Sequence, residues 1–125
     1  MFKKIPPSEL KIMKLFWQSD KVLTSQDIVS IMSHEWKQTT TLTLLSRLVK
    51  RNFLSAEKHT SYTTYTVLVD EESYLQYETF DFLKNIHNES VTSLLQSMSK
   101  KEFSKEEIKT FKNFIKDIQN KKQNG

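Results

Sequence analysis

The chain has 125 residues, of which 37% are apolar and 27% charged; its net charge is +4, and it holds one glycine, two prolines and no cysteine. This length allows one or two small domains around a compact core, and the scarcity of turn residues favours helices over a sheet-rich fold. The absence of cysteine excludes disulfides, thiolate metal sites and cysteine nucleophiles and fits a reducing cytoplasm, while no apolar run approaches the ~18 residues of a membrane span. The opening MFKKIPPSEL also lacks the apolar run of a signal peptide. The charge is uneven. Residues 1–69 hold ten Lys and Arg against five Asp and Glu, and residues 70–125 hold nine against ten. A basic front and a near-neutral back point to a polyanion-binding N-terminal half.

In chain order, the first helix is predicted over residues 7–18. Pro7 suits a first turn because the N–H it lacks would go unused there. Leu10, Met13 and Trp17 share one side, and Ile12, Leu15 and Phe16 share another, so the helix is expected to be buried on two sides. Val22 and Leu23 read as a short extended segment. Thr24-Ser25-Gln26-Asp27 resembles a capping box with Asp in the usual Glu place, and Ile28, Ile31 and Met32 give the second helix its apolar stripe. Ser33-His34-Glu35 forms the turn.

The third helix is predicted over residues 38–51 and carries most of the functional information. At 100° per residue, Thr39, Thr43, Ser46 and Lys50 fall in one narrow sector, with Thr40 and Arg47 at its edge. Thr41, Leu44, Leu45 and Leu48 lie opposite. Such a helix can bury its leucines and lay the other face in a DNA groove, where hydroxyls and methyls meet base edges and cations meet phosphates. An ordinary amphipathic surface helix has the same pattern. Leu42 lies between the sectors, beside Val49, and reads either as the core edge or as a contact for thymine methyls. The weak N-cap, Lys37 or Gln38, leaves room for a start at Thr39.

Leu54-Ser55-Ala56-Glu57-Lys58 and the β-branched and aromatic run of residues 62–69 read as a hairpin tipped by His59, Thr60 and Ser61. Three helices followed by a hairpin make a winged helix-turn-helix, so residues 1–69 are expected to form a DNA-binding domain. Its DNA-binding residues are expected to be Thr39, Thr40, Leu42, Thr43, Ser46, Arg47, Lys50 and Arg51 on the helix, and Lys58, His59, Thr60 and Ser61 on the wing.

Residues 70–125 read as three further helices. Asp70 can cap the first, which runs to about His87. It carries one stripe of Leu75, Thr79, Phe82, Leu83 and Ile86, and another side of Tyr74, Tyr77 and Phe80. The second covers residues 90–98, with Val91, Leu94, Leu95 and Met98. The third starts at Ser104 in a capping box ending at Glu107 and carries Ile108, Phe111, Phe114, Ile115 and Ile118. Residues 121–125 read as a frayed tail. A unit of this size buries too little surface alone, so a homodimerisation domain is expected, held by Leu75, Phe82, Ile86, Leu94, Leu95, Phe111, Phe114, Ile115 and Ile118. The fold class is therefore mainly α with a small β-wing: a winged helix-turn-helix followed by a three-helix dimerisation region.

Nearly the whole chain resembles the penicillinase and methicillin-resistance repressors, the BlaI/MecI type of winged-helix regulator. The resemblance rests on Glu9-Leu10 with Ile12-Met13 and Trp17, on Glu35-Trp36 before the reading helix, and on Thr40, Thr43-Leu44-Leu45 and Ser46-Arg47-Leu48 within it. Lys50-Arg51, Phe82-Leu83, Ser93-Leu94-Leu95 and the run from Phe103 to Ile108 also fit. It implies a cytoplasmic homodimer that represses transcription from an inverted-repeat operator on double-stranded DNA, in a β-lactam-resistance or related stress operon. It further implies release through proteolysis set off by a membrane sensor-protease. The chain departs from the family pattern in places. Thr39 stands for the usual Lys, Leu42 for a polar residue, Lys37-Gln38 for Ser-Pro, and Asn52 for a turn Gly, a place where Asn tolerates the left-handed conformation. The family's scissile Asn-Phe pair has no counterpart near Gln96-Ser97; an Asn-Phe pair stands at Asn113-Phe114. The cysteine cluster of copper-responsive relatives is missing.

No enzyme chemistry, cofactor or metal site is expected. His34, His59 and His87 sit on three separate elements without a second ligand at helical spacing. Glu71-Glu72, Glu106-Glu107 and Asp81 lie near helix starts or on outer faces. Trp17 and Trp36 read as core or hinge residues rather than stacking platforms for single strands. The competing function is a winged-helix protein–protein module without sequence-specific DNA binding, which the missing cations at positions 39 and 42 favour and Arg47, Lys50 and Arg51 oppose.

Overall fold

The computed structural model describes residues 3–124. In order these form α1 (Pro7–Gln18), α2 (Ser25–Ile31), α3 (Gln38–Lys50), β1 (Leu54–Lys58), β2 (Thr63–Val67), α4 (Glu71–His87), α5 (Val91–Ser97) and α6 (Lys105–Asn124). The contacts divide the chain into two compact units, one ending at Phe82 and the other starting at Leu83.

The first unit is the winged helix-turn-helix. Its core is built from Ile12, Met13 and Phe16 of α1, Ile28 of α2, Leu44, Leu45 and Leu48 of α3, and Phe53 and Leu54 at the start of the hairpin. Thr24 caps α2 in a reciprocal capping box. Its hydroxyl accepts from the Asp27 N–H, and the Asp27 carboxylate accepts from the Thr24 N–H. β1 and β2 pair antiparallel, with Leu54 opposite Val67 and Lys58 opposite Thr63. The extended segment before α2 reaches the hairpin at Thr24, which bridges to Thr64. The second strand starts one residue later than predicted, because Tyr62 stacks on His59, centroids 4.6 Å apart, and closes the turn.

The unit extends past residue 69. Tyr74, in the first turn of α4, is one of its most deeply buried residues and lies 6.1 Å from Phe53 and 5.8 Å from Trp17. The Ile5 N–H donates to the Tyr74 hydroxyl at 2.6 Å, and Trp17 Nε1–H donates to the Val69 carbonyl at 2.9 Å. Burial, with the Glu78 carboxylate adding to it, pushes the Tyr74 phenol up to about 12, although the Ile5 N–H pulls the other way. The folded state therefore favours the neutral phenol. This contribution is complete below pH 10 and is lost as pH rises toward 12. Alkaline titration followed by circular dichroism is expected to show a stability loss of order 2 kcal/mol in that window, and Tyr74→Phe should remove that step.

Thr41 lies on the buried face of α3, and its hydroxyl has no hydrogen-bond partner among the described residues. Valine has the same shape without the stranded polar atom. Thr41→Val is expected to stabilise the fold by about 1 kcal/mol, read as a higher denaturant midpoint at unchanged slope. A lower midpoint would mean that a bound water satisfies the hydroxyl.

In the second unit, α5 is capped by Ser90, whose hydroxyl accepts from the Ser93 N–H, and α6 by the reciprocal Ser104–Glu107 pair. The α4–α5 connection passes through Asn88 and Glu89, both at positive φ. No apolar side chain is buried among the described residues of this unit; only His87 is, with its Nδ1 2.9 Å from the Ser93 hydroxyl. The predicted frayed tail is instead helical: α6 continues to Asn124, with Lys121 and Lys122 in the last turn, where cations favour a helix terminus. Gly125 lies outside the described residues. No helix in the described residues is long and apolar enough to cross a membrane.

Candidate nucleic-acid interface

α3 forms because its leucines recur at helical spacing and its last turn carries Arg47 and Lys50, which complement the negative end of the helix dipole. It buries Thr41, Leu44, Leu45 and Leu48. Thr39, Thr40, Thr43, Ser46, Arg47, Lys50 and Arg51 are exposed, as are Lys58, His59, Thr60 and Ser61 on the wing. Leu42 is 37% exposed, so it is not part of the buried core. Thr43 donates its hydroxyl hydrogen to the Thr39 carbonyl at 2.9 Å, which leaves oxygen lone pairs and a methyl group for an incoming ligand. Lys37 makes no side-chain cap, so the helix starts at Gln38 with its first-turn amides uncapped from that side.

The helix ends in a Schellman turn. The Asn52 N–H donates to the Val49 carbonyl and the Phe53 N–H to that of Leu48, with Asn52 at φ 65°. Asparagine thus does the work of the family's glycine. Asn52 is followed by Phe53, giving the chain a second Asn-Phe pair in addition to Asn113-Phe114, and Phe53 is buried.

The wing tip is held against α2. The Gln26 side-chain amide donates to the Ser61 carbonyl at 3.3 Å, and the His59 Nε2 sits 3.1 Å from the Thr64 hydroxyl. Lys11 pairs with Glu35 and lies 6.0 Å from the centroid of Trp36, fastening α1 to the turn before α3. Trp17 and Trp36 are both half-buried against the core.

Arg51 differs from the other cations. Its Nη1 donates to Glu9 Oε1, and Glu9 is buried. The sequence pattern named Glu9 within the family resemblance but assigned it no burial and no partner, although a signal was present: Glu9, Ile12, Met13 and Phe16 form one i, i+3, i+4, i+7 stripe. A carboxylate in an apolar stripe requires a partner. Among the described residues, no group of three or more His, Asp or Glu could hold a metal.

The residues predicted for dimerisation fall on both units. Leu75 and Phe82 are exposed on the first. On the second, Ile86, Leu95, Phe111, Phe114, Ile115 and Ile118 are exposed and Leu94 is half-buried. On α4, Tyr74 and Tyr77 pack against the core, and Leu75, Phe82 and Ile86 are exposed.

Comparison with known proteins agrees with this architecture. The family model described as penicillinase repressor matches residues 5–117. The penicillinase repressor of Bacillus licheniformis is 29% identical, over 97% of this chain and 98% of its own. The methicillin resistance regulatory protein MecI of Mammaliicoccus sciuri is 30% identical, over 90% of this chain and 93% of its own. The solution structure of the DNA-binding domain of the repressor BlaI is 31% identical and covers 58% of this chain and 94% of that domain, with a TM-score of 0.50. The solution structure of the monomeric form of Bacillus licheniformis BlaI in complex with the blaP half-operator is 28% identical, over 59% of this chain and 92% of its own, also at 0.50. With the match running from Ile5 into the last helix, the chain belongs to the penicillinase repressor family.

Proposed function

We propose that the chain is a dimeric transcriptional repressor that binds an inverted-repeat operator through α3, with the wing on the flanking backbone. The observation that carries this reading is the outer face of α3, where hydroxyls, a methyl-bearing edge and unpaired cations stand exposed on a helix anchored by its leucines. The BlaI relative bound to a half-operator supports it, since one winged unit then serves one half-site and two copies serve the whole. In this reading residues 1–69 supply the DNA-binding function and residues 70–125 the dimer. The regulated genes are a β-lactam-resistance or related stress operon.

The second unit supports dimerisation. It has no buried apolar side chain among its described residues, and Leu95, Met98, Phe103, Ile108, Phe111 and Ile115 line an apolar groove of about 1080 Å³ between α5 and α6. A second copy of the same helices supplies the missing cover.

Binding measured against the chain's own upstream DNA at several salt concentrations tests the function. Arg47→Ala and Lys50→Ala are each expected to weaken operator and random duplexes alike and to make the salt slope shallower by about one unit. Leu42→Ala is expected to cost roughly 1 kcal/mol at a single thymine-bearing position. Unchanged base preference with a lowered melting temperature would assign Leu42 to packing. Wild-type protein that binds neither operator nor random duplex would overturn the DNA-binding reading.

A further inference from the structure

A basic feature that joins the N-terminal arm to the end of α3 faces solvent. A pocket of about 740 Å³ lies at the C-terminal end of α3, lined by Lys3, Arg47, Lys50 and Arg51 above a floor of Asn52, Phe53 and Val69. Its cations come from two places 44 or more residues apart in sequence, the N-terminal arm and the last turns of the reading helix. Among the described residues, no acidic side chain lines it.

The arm is pinned at Ile5. Ile5 is buried and its N–H is held by the Tyr74 hydroxyl. Lys4 pairs with Glu78 at 3.8 Å, which engages that cation elsewhere. Lys3 remains as the arm's contribution to the pocket, and among the described residues neither it nor Arg47 nor Lys50 has an ion-pair partner. Arg51 is oriented from behind: the buried Glu9 takes one Nη1 hydrogen, so the planar fork has a fixed direction and keeps other donors. Like charges brought together around a pocket repel one another unless an anion sits among them.

We propose that this pocket is a seat for a backbone phosphate of duplex DNA, with Lys3 as a DNA contact outside the helix-turn-helix and wing and Glu9 as the residue that positions Arg51. The proposal rests on the DNA-binding reading above. It favours the duplex backbone over a free phosphorylated anion because Arg47 and Lys50 belong at once to the pocket and to the outer face of α3, so a duplex lying on that face brings its backbone past the pocket mouth. A phosphate here adds affinity and fixes orientation but reads no sequence.

The test is the salt dependence of binding, in chloride buffers, for wild type, Lys3→Ala and Lys121→Ala, on operator and random duplexes. Lys3→Ala is expected to weaken both duplexes by the same factor and make the slope shallower by about one unit, so that its deficit shrinks roughly threefold between 50 and 200 mM salt. Lys121→Ala, a cation on α6, should behave as wild type. If wild type binds and Lys3→Ala matches it in affinity and slope, the phosphate seat is wrong while the DNA-binding reading stands. If wild type binds no duplex, the DNA-binding reading itself falls. Inorganic pyrophosphate separates the sources. Should it raise the melting temperature of wild type but not of Lys3→Ala, with DNA binding equal in the two, the pocket serves a free anion and the proposal is overturned.

Discussion

Replacing Phe111 and Ile115 together with Asp is expected to yield monomers and to abolish operator binding at concentrations where the wild type saturates. Both side chains are exposed in the single chain, at 51% and 40%, so the charges disturb little within one copy. They would, however, place carboxylates in the apolar groove between α5 and α6, where an unpaired charge is expelled once the groove is covered. The effect on DNA is large because it is a linkage effect. Once one half-site is filled, the tethered second unit sees an effective concentration in the millimolar range, and avidity exceeds single-site affinity by about 10²–10⁴-fold. Loss of the dimer forfeits that factor without touching α3. Sedimentation at micromolar protein checks the first step, and a wild-type monomer there would sink the dimer. Monomers that keep full operator affinity would sink the linkage.

Arg51→Ala is expected to produce the largest stability loss of any substitution on the outer side of α3, roughly 3 kcal/mol, or a melting temperature lower by more than 10 °C for a unit of this size. The cause is the buried Glu9, whose carboxylate would lose the guanidinium that compensates it. The converse change should be milder. Glu9→Gln keeps an acceptor for Arg51, whose side chain is 38% exposed and can be rehydrated, so about 1 kcal/mol is expected. This asymmetry distinguishes a structural pair from a surface ion pair, for which either change costs little. Thermal melts of the two variants measure it; equal, small shifts would mean that the pair is solvated and that Arg51 is free to act like Arg47. Until those melts are in hand, Arg51 is a poor probe of phosphate contacts, since its loss mixes folding with binding.

The parts legible in the sequence are those set by local chemistry. Thr24 with Asp27 and Ser104 with Glu107 announce helix starts because each motif satisfies its own backbone donors within four residues. The leucine spacing of α3 fixes which face is buried, and with it the exposed set Thr39, Thr43, Ser46 and Lys50. What escaped is carried by contacts between residues far apart. Tyr74 meets Ile5 across 69 positions, and for this reason the compact unit runs on to Phe82 although the composition changes at Asp70. Glu9 meets Arg51 across 42 positions, so a cation that looks free in the sequence is bound in the fold. Lys3 acquires a role only when the arm is pinned beside the end of α3. The tail misreading has a different origin: a polar, lysine-rich end looks unstructured by composition, yet Lys121 and Lys122 favour the helix terminus they occupy.

Among the described residues the three positive-φ positions, Asn52, Asn88 and Glu89, hold no glycine, and their choice of residue bears on the state from which the chain folds. Glycine at such a site relaxes the folded backbone but widens the unfolded ensemble, by about 0.4–1 kcal/mol per residue. A chain with one glycine in 125 residues therefore starts from a comparatively stiff ensemble and loses less entropy on ordering. Asparagine keeps most of that advantage, since its short amide tolerates the left-handed region. Glu89 does not, and its conformation costs on the order of 1–2 kcal/mol. The strain is therefore concentrated at the junction of α4 and α5, the point where the chain's thrift with glycine is most expensive.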